Sequence, residues 1–205
     1  MSTTDISDDT PGSKRRSNLT LWLILAVCLF PFIGSVALYL FWRPDSFVNY
    51  GDLVQPVVPL ARVVVQAQDG SGFRFEDMHG KWVFLMVDNG NCDDYCQLKL
   101  YWMRQVRLAQ GADQQRIERV WLVRDGKPPR QELLNEHEGT REILIADPAI
   151  LEKLPGHEHA VDYLYLVDPL GNLMMRYPRD LDPSRMKKDV SKLLRISKGW
   201  REVSR

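Results

Sequence analysis

The hydrophobic and polar positions divide the chain into one long apolar segment and a later region of short apolar runs. Residues 19–42 contain no charged side chain. A transmembrane helix needs about 20 apolar residues, and Trp22 and Trp42 lie towards the two ends of the segment, as interfacial aromatic residues do. The pattern therefore predicts one N-terminal transmembrane helix over residues 19–42, followed by a folded region.

The flanking charges predict how this helix is oriented. Three basic residues occupy positions 14–16, and only Arg43 follows the apolar segment closely. Because basic residues stay on the cytoplasmic side, we expect a cytoplasmic N-terminus, and in a bacterium an inner-membrane protein with its folded part in the periplasm. A cleaved signal peptide is the alternative. It is disfavoured because its apolar core is usually shorter and is followed by small residues.

The rest of the chain divides by composition. Residues 1–18 are polar without apolar periodicity, and we expect a disordered cytoplasmic tail. Residues 43–60 carry three prolines and predict an extended tether. The folded domain is expected over 61–198, with a short C-terminal tail at 199–205.

Within 61–198, runs with strand character alternate with segments of helical periodicity. The sequence of elements is a β-hairpin, a strand, a helix, a strand, two short helices, a second hairpin and a final helix. This order predicts a mixed α/β fold with a central sheet and outer helices. The predicted strands are 62–66, 73–75, 82–87, 117–123, 143–145, 163–167 and 173–177, and the short helices are 131–138 and 148–154. His79 and His137 are expected to be exposed.

The chemical lead is a pair of cysteines after the buried run at 82–87. If Cys92 and Cys96 both lie in the first helical turn, they share a face about 6 Å apart along the axis, within reach of a disulfide or one soft metal ion. A helix N-terminus favours the thiolate form, whereas Asp93 and Asp94 oppose it. The alternative is two small buried hydrophobic residues beside helix-capping aspartates. Sites of open α/β sheets lie at such strand ends.

Charge and composition exclude several functions. Lys+Arg and Asp+Glu are both 27, so nothing indicates a nucleic-acid partner. Three cysteines are too few for a disulfide-rich scaffold. The glycine turns at 69–72 and 170–172 lack the phosphate-loop and dinucleotide patterns, and no serine lies in a nucleophile-elbow pattern.

Three stretches, 77–83, 92–96 and 165–172, resemble Sco/SenC-type thioredoxin-like proteins, the membrane-anchored copper proteins of cytochrome c oxidase assembly. The three-residue gap between Cys92 and Cys96 is similar to that family's motif, whereas thioredoxins have two residues there. The resemblance implies a thioredoxin-like central sheet flanked by helices, after one N-terminal transmembrane helix. Asp93 and Gln97 occupy positions where the family usually has prolines.

The resemblance also implies a site and a partner. Its copper ligands would be Cys92, Cys96 and His159, with His157 as second choice, and such a thiolate and imidazole set suits copper. The implied partner is a cytochrome c oxidase subunit or another copper or thiol protein.

Three functions stay open. The favoured one, which the resemblance implies, is copper delivery through the Cys-x3-Cys site in cytochrome c oxidase assembly; the other two are alternatives. The second is a thiol–disulfide oxidoreductase in which Cys92 and Cys96 form a redox dithiol that reduces partner cysteines. Residues 160–162, Ala-Val-Asp, stand where thioredoxins place a cis-proline, which argues against this second function. The third is a non-catalytic, membrane-tethered docking module in which the cysteines form a structural disulfide.

Overall fold

The N-terminal unit is a single long helix. The structure is a computed structural model that describes residues 13–41, 49–67 and 69–198, and α1 spans Ser13–Phe41. Its Asn18–Leu38 stretch has a mean hydropathy of 2.5 and is 0% buried, so the helix is long and apolar enough to cross a membrane. Residues 13–18 are helical rather than part of a disordered tail, because lysine and arginine are good helix formers. Trp42 and the predicted segments 1–12, 43–48 and 199–205 lie outside the described residues.

The second unit, residues 49–205, is built on a six-stranded mixed sheet in the order β1-β8-β7-β4-β5-β6. Its central strand β4 pairs in parallel with β5 and antiparallel with β7, and β6 continues the parallel part. A separate hairpin, β2–β3, makes a second small sheet. The strands are β1 Asp52–Pro59, β2 Val64–Gln66, β3 Gly72–Arg74, β4 Trp82–Asp88, β5 Ile117–Val123, β6 Thr140–Leu144, β7 Leu164–Val167 and β8 Asn172–Tyr177.

Helices cover the sheet. The α-helices are α2 Asp94–Leu108, α3 Gln131–Glu136 and α4 Pro183–Ile196, and 3₁₀ turns span Phe75–Met78, Gly111–Arg116, Pro148–Lys153 and His157–Asp162. All seven residues of β4 are buried, because side chains on one face pack with α2 and α4 and those on the other with the β2–β3 hairpin and Pro148–Lys153. The predicted thioredoxin-like α/β fold is confirmed.

The structure differs from the predicted tether over residues 52–59. These residues form β1, which pairs with β8 at the edge of the sheet, and Val54 is buried. The backbone N–H groups of Tyr50 and Gly51 donate to the Asp189 carboxylate at 2.8 and 2.9 Å. The prolines of this stretch have no backbone N–H to donate, which argued against a strand in the sequence. An edge strand tolerates proline, because one side of it needs no hydrogen-bond partner.

Two smaller predictions were also wrong. His137 is only 4% exposed, because the chain turns back after α3 and buries the residue that follows it. The helical spacing of Tyr95, Leu98, Trp102 and Val106 in the sequence predicts that they share one apolar face, but Leu98 is 41% exposed. The buried face of α2 is instead formed by Cys96, Lys99, Leu100, Trp102, Met103 and Val106.

Candidate functional site

The cysteine pair lies in the turn between β4 and α2. Asp93 caps the helix, and its Oδ1 accepts a hydrogen bond from the backbone N–H of Cys96 at 2.9 Å, as aspartate does at this position. Cys92 precedes the cap and has φ 42°, in the left-handed region that non-glycine residues seldom occupy. The two cysteines therefore do not share the first helical turn: Cys96 belongs to α2 and Cys92 to the loop.

The structure brings the two cysteines together as a disulfide. Their Cα atoms are 5.1 Å apart, within the range that a disulfide spans. Cys92 is 2% exposed and Cys96 is 0% exposed. A reagent or partner can therefore attack the bond only after the loop around Cys92 moves.

Gly90 fixes the loop that precedes Cys92. Its backbone N–H donates to Oδ1 of Asp125 at 2.9 Å, and a Cβ added at this position would lie 1.7 Å from the carbonyl oxygen of Lys127. Only glycine permits this approach of two backbones. The loop is thereby held against the segment that follows β5.

A buried lysine lies one helical turn beyond Cys96. Lys99 is 0% exposed, and its Nζ lies 2.8 Å from Oδ2 of Asp88. It also donates to the carbonyl oxygens of Val87, at 3.0 Å, and Val161. An ammonium group has three N–H donors, so each has an acceptor. Burial lowers the pKa of Lys99, and the Asp88 carboxylate opposes this shift.

Sequence reasoning missed this pair, although two signals were present. Asp88 ends an otherwise apolar strand, and Lys99 lies three residues after Cys96, a spacing that puts two side chains on the same side of a helix. Lysine is read as exposed by default. A carboxylate at the end of a buried strand needs a cation nearby, and this requirement could have pointed to the Lys99–Asp88 pair.

The same lysine helps to attach the loop that contains the predicted histidine ligands. Lys99 bonds Val161, and the hydroxyl of Tyr95 donates to the carbonyl oxygen of Asp162 at 3.0 Å. The guanidinium of Arg179 lies 4.4 Å from the centre of the Tyr95 ring and pairs with the Asp162 carboxylate. Burial raises the pKa of Tyr95. The 3₁₀ turn His157–Asp162 is therefore fastened to the first turns of α2.

The two histidines of this turn point to solvent. The side chain of His159 is 73% exposed, and its Nδ1 lies 3.8 Å from Oδ2 of Asp162; His157 is also exposed. Over residues 13–41, 49–67 and 69–198, no three His, Cys, Asp or Glu side chains are grouped to hold a metal ion. The role of His159, or of His157, as a third ligand beside Cys92 and Cys96 stays a prediction.

Comparison with known proteins agrees with this geometry. Residues 82–197 match the family "Transmembrane-like, thioredoxin-like, C-terminal domain". Yeast Sco1 with copper bound is similar in fold, with a TM-score of 0.53 and 16% identity over 72% of this chain and 93% of that chain. A second structure of yeast Sco1 has a TM-score of 0.52 and 13% identity, over 65% and 92%.

No curated protein sequence matches the chain. The resemblance to Sco/SenC-type proteins is confirmed as a likeness of fold. The family match covers residues 82–197, more than half of the chain, and includes the β4–α2 junction with its two cysteines. The chain therefore belongs to the transmembrane-like, thioredoxin-like C-terminal domain family.

Proposed function

We propose that this protein is a membrane-anchored thiol–disulfide exchange protein whose Cys92–Cys96 pair reduces cysteines of a partner protein. One observation carries the proposal: the two cysteines form a disulfide at the β4–α2 junction, directly before a helix that keeps a buried lysine one turn away. A dithiol at a helix N-terminus is chemically suited to exchange.

The exchange proceeds in two balanced steps. The thiolate of reduced Cys92 attacks a partner disulfide, which forms a mixed disulfide and releases one partner thiolate. The thiolate of Cys96 then attacks Sγ of Cys92, which closes the Cys92–Cys96 bond and releases the second partner thiolate. The partner gains two electrons and the domain loses two. A dithiol reductant of the same compartment returns the domain to its reduced form.

The assignment of Cys92 as the attacking group follows from its place in the loop. Cys96 is fixed inside α2 through its backbone bond to Asp93, whereas Cys92 lies outside the helix with an unfavourable backbone angle. Movement of this loop can expose Cys92 without unfolding α2. Burial of both sulfur atoms in the oxidised form makes exchange slow until that movement occurs.

The positive charge near the dithiol favours its thiolate form. The N-terminus of α2 contributes a partial positive charge, which favours the thiolate of a cysteine at that end. The charge of Lys99 is balanced by the Asp88 carboxylate, so Lys99 adds no net charge there.

Trapping of the mixed disulfide tests this proposal. The full chain in mild detergent carries Cys28→Ser, so that only the pair can react. In this background, reduced Cys96→Ser should form a stable adduct with a disulfide-bonded peptide, detected by mass spectrometry, and Cys92→Ser should form at least tenfold less. If neither variant forms an adduct, the result would count against exchange and favour the docking module.

Copper delivery is the second candidate function, with copper as cargo. Two thiolates fit Cu(I), and His159 lies on a turn that Tyr95 and Lys99 attach to the cysteine-bearing helix. Under this candidate the partner is a cytochrome c oxidase subunit or another copper or thiol protein. The anchor lies in the inner membrane and the domain is in the periplasm.

Anaerobic loading of the reduced full chain with Cu(I), followed by desalting, tests this candidate. It predicts one retained copper per chain, lost in Cys92→Ser and weakened in His159→Ala, with His157→Ala as the matched control. Retention that is unchanged in Cys92→Ser would contradict it.

A further inference from the structure

A pocket lies at the C-terminal end of α2, away from the cysteine pair. Its volume is about 340 Å³, and it opens between the last turns of α2 and the segment from α3 to β6. Arg107 lies eleven residues after Cys96, about 16 Å along the helix axis, so this pocket is separate from the dithiol. It is lined by Arg104, Arg107, Leu108, Arg119, Asn135, Glu136 and Glu138.

Arg119 is the unusual member of this set. It lies on β5 between Ile117 and Trp121, on the face that packs against α2, and is only 4% exposed. Its Nη2 donates to the carbonyl oxygen of Glu138. Its Nε and Nη1 are buried and have no hydrogen-bond acceptor among the residues that the structure describes. A buried guanidinium with unused donors is costly unless an anion meets it.

Two further guanidinium groups line the same pocket. Nη1 of Arg104 donates to the carbonyl oxygen of Glu136 at 3.2 Å, and Nε of Arg107 donates to that of Ile117 at 2.8 Å. Both acceptors are neutral carbonyl oxygens and cancel no positive charge. The Glu118 carboxylate offsets the charge of Arg119 in part. Burial, followed by the charges of Arg107 and Arg104, lowers the pKa of Arg119 to about 10.

The acidic residues of the pocket do not neutralise it. Glu136 and Glu138 are exposed, and within the described part of the chain neither carboxylate forms an ion pair with Arg104, Arg107 or Arg119. Three arginines and two glutamates leave one net positive charge.

We propose that this pocket binds a phosphate group through Arg104, Arg107 and Arg119. Guanidinium groups match the oxygen geometry of phosphate and bind it with charge-assisted hydrogen bonds. The unused Nε and Nη1 of Arg119 are buried, so they reach such an oxygen only when the side chain turns towards the pocket. The volume exceeds that of phosphate alone, so the group is carried by a small phosphorylated molecule or by a lipid headgroup.

Thermal unfolding of the full chain in phosphate-free maltoside detergent tests this proposal. Potassium phosphate is added at constant ionic strength, with chloride making up the difference. A ligand that binds only the folded state raises the midpoint of thermal unfolding. The midpoint of wild type should therefore rise with phosphate concentration in a saturable way. Arg119→Met and Arg104→Gln should bind phosphate at least tenfold more weakly, and Arg195→Gln, an exposed arginine on α4, should behave as wild type.

A second arm separates the two sources of the phosphate group. Dioctanoyl phosphatidic acid, a short lipid with a phosphate monoester, is added in place of inorganic phosphate. Stabilisation by the lipid but not by inorganic phosphate assigns the site to a lipid headgroup. Stabilisation by inorganic phosphate, with or without stabilisation by the lipid, assigns it to a small phosphorylated molecule. Each result supports the pocket if Arg119→Met abolishes it. No stabilisation by either probe, or equal stabilisation of wild type and Arg119→Met, would overturn the proposal.

Discussion

Two buried cations lie at opposite ends of α2, and their surroundings differ. Lys99 has an acceptor for each of its N–H donors, and one acceptor is the Asp88 carboxylate at 2.8 Å. Arg119 has a single backbone acceptor and two buried nitrogens without one in the described ranges. The first arrangement is complete within the chain, whereas the second lacks the anion that its chemistry calls for.

The difference indicates what each cation does. A satisfied pair such as Lys99–Asp88 fixes its neighbours, here the cysteine-bearing helix and the turn His157–Asp162. An incompletely satisfied cation such as Arg119 lowers stability in the free protein, so its presence needs a reason such as a bound ion or ligand. We therefore assign Lys99 to positioning and Arg119 to binding.

The largest expected effect comes from breaking the complete pair. Lys99→Met leaves the Asp88 carboxylate buried without a cation, which should lower the free energy of unfolding by about 3–5 kcal/mol. Urea unfolding of the oxidised full chain in detergent, followed by tryptophan fluorescence, measures it. Lys188→Met, at an exposed position of α4, is the matched control. A loss below about 1 kcal/mol would mean that Lys99 does not hold the site together.

Replacing Arg119, the cation without a full set of acceptors, with methionine should change the free energy of unfolding in the opposite direction. Arg119→Met removes a buried charge and keeps an unbranched stem, so without phosphate the free energy of unfolding should rise by about 1 kcal/mol or more. Arg116→Met is the contrasting control, because Arg116 is also buried but bonds Asp113, Leu194 and Ser197. If Arg119→Met lowers the free energy of unfolding as Arg116→Met does, Arg119 is a satisfied structural cation like Arg116 and Lys99.

A smaller effect is expected where the 3₁₀ turn His157–Asp162 joins α2. Tyr95→Phe removes the hydroxyl that donates to Asp162 and should cost about 1 kcal/mol. The ring and its contact with Arg179 remain. Hydrogen exchange should be faster at residues 157–162 and unchanged in β4; a uniform change would contradict a local link.

The smallest expected effect is on the pH dependence of stability, through His137 beside the pocket of Arg104, Arg107 and Arg119. Burial lowers the pKa of His137, with Arg104 and Arg119 adding to the shift and Glu136 opposing it. The unfolded chain therefore binds more protons below about pH 6.5, and stability falls as the pH decreases through that value. His137→Gln should reduce the stability difference between pH 7.5 and 5, and the exposed His157→Gln should not. Equal pH dependence would contradict a neutral buried His137.

Much of the fold follows from local sequence. The apolar run of β4, the turn glycines and the cysteine spacing predicted the sheet, the hairpins and the site at the β4–α2 junction. The edge strand β1 was missed because its pairing with β8 joins residues more than a hundred positions apart, and its prolines hid it. Lys99, Arg119 and His137 were missed for a related reason: polar residues give no periodic signal of burial, which depends on distant partners.

We infer that Cys92 and Cys96 form a working dithiol rather than a fixed structural bond. The test uses the Cys28→Ser full chain equilibrated with reduced and oxidised glutathione, with free thiols counted by mass spectrometry after alkylation. We expect a reversible two-electron transition, in which two thiols appear per folded chain. These thiols should disappear again when the reduced chain reduces a disulfide-bonded peptide. A bond that opens only when the domain unfolds would contradict it and identify the disulfide as structural.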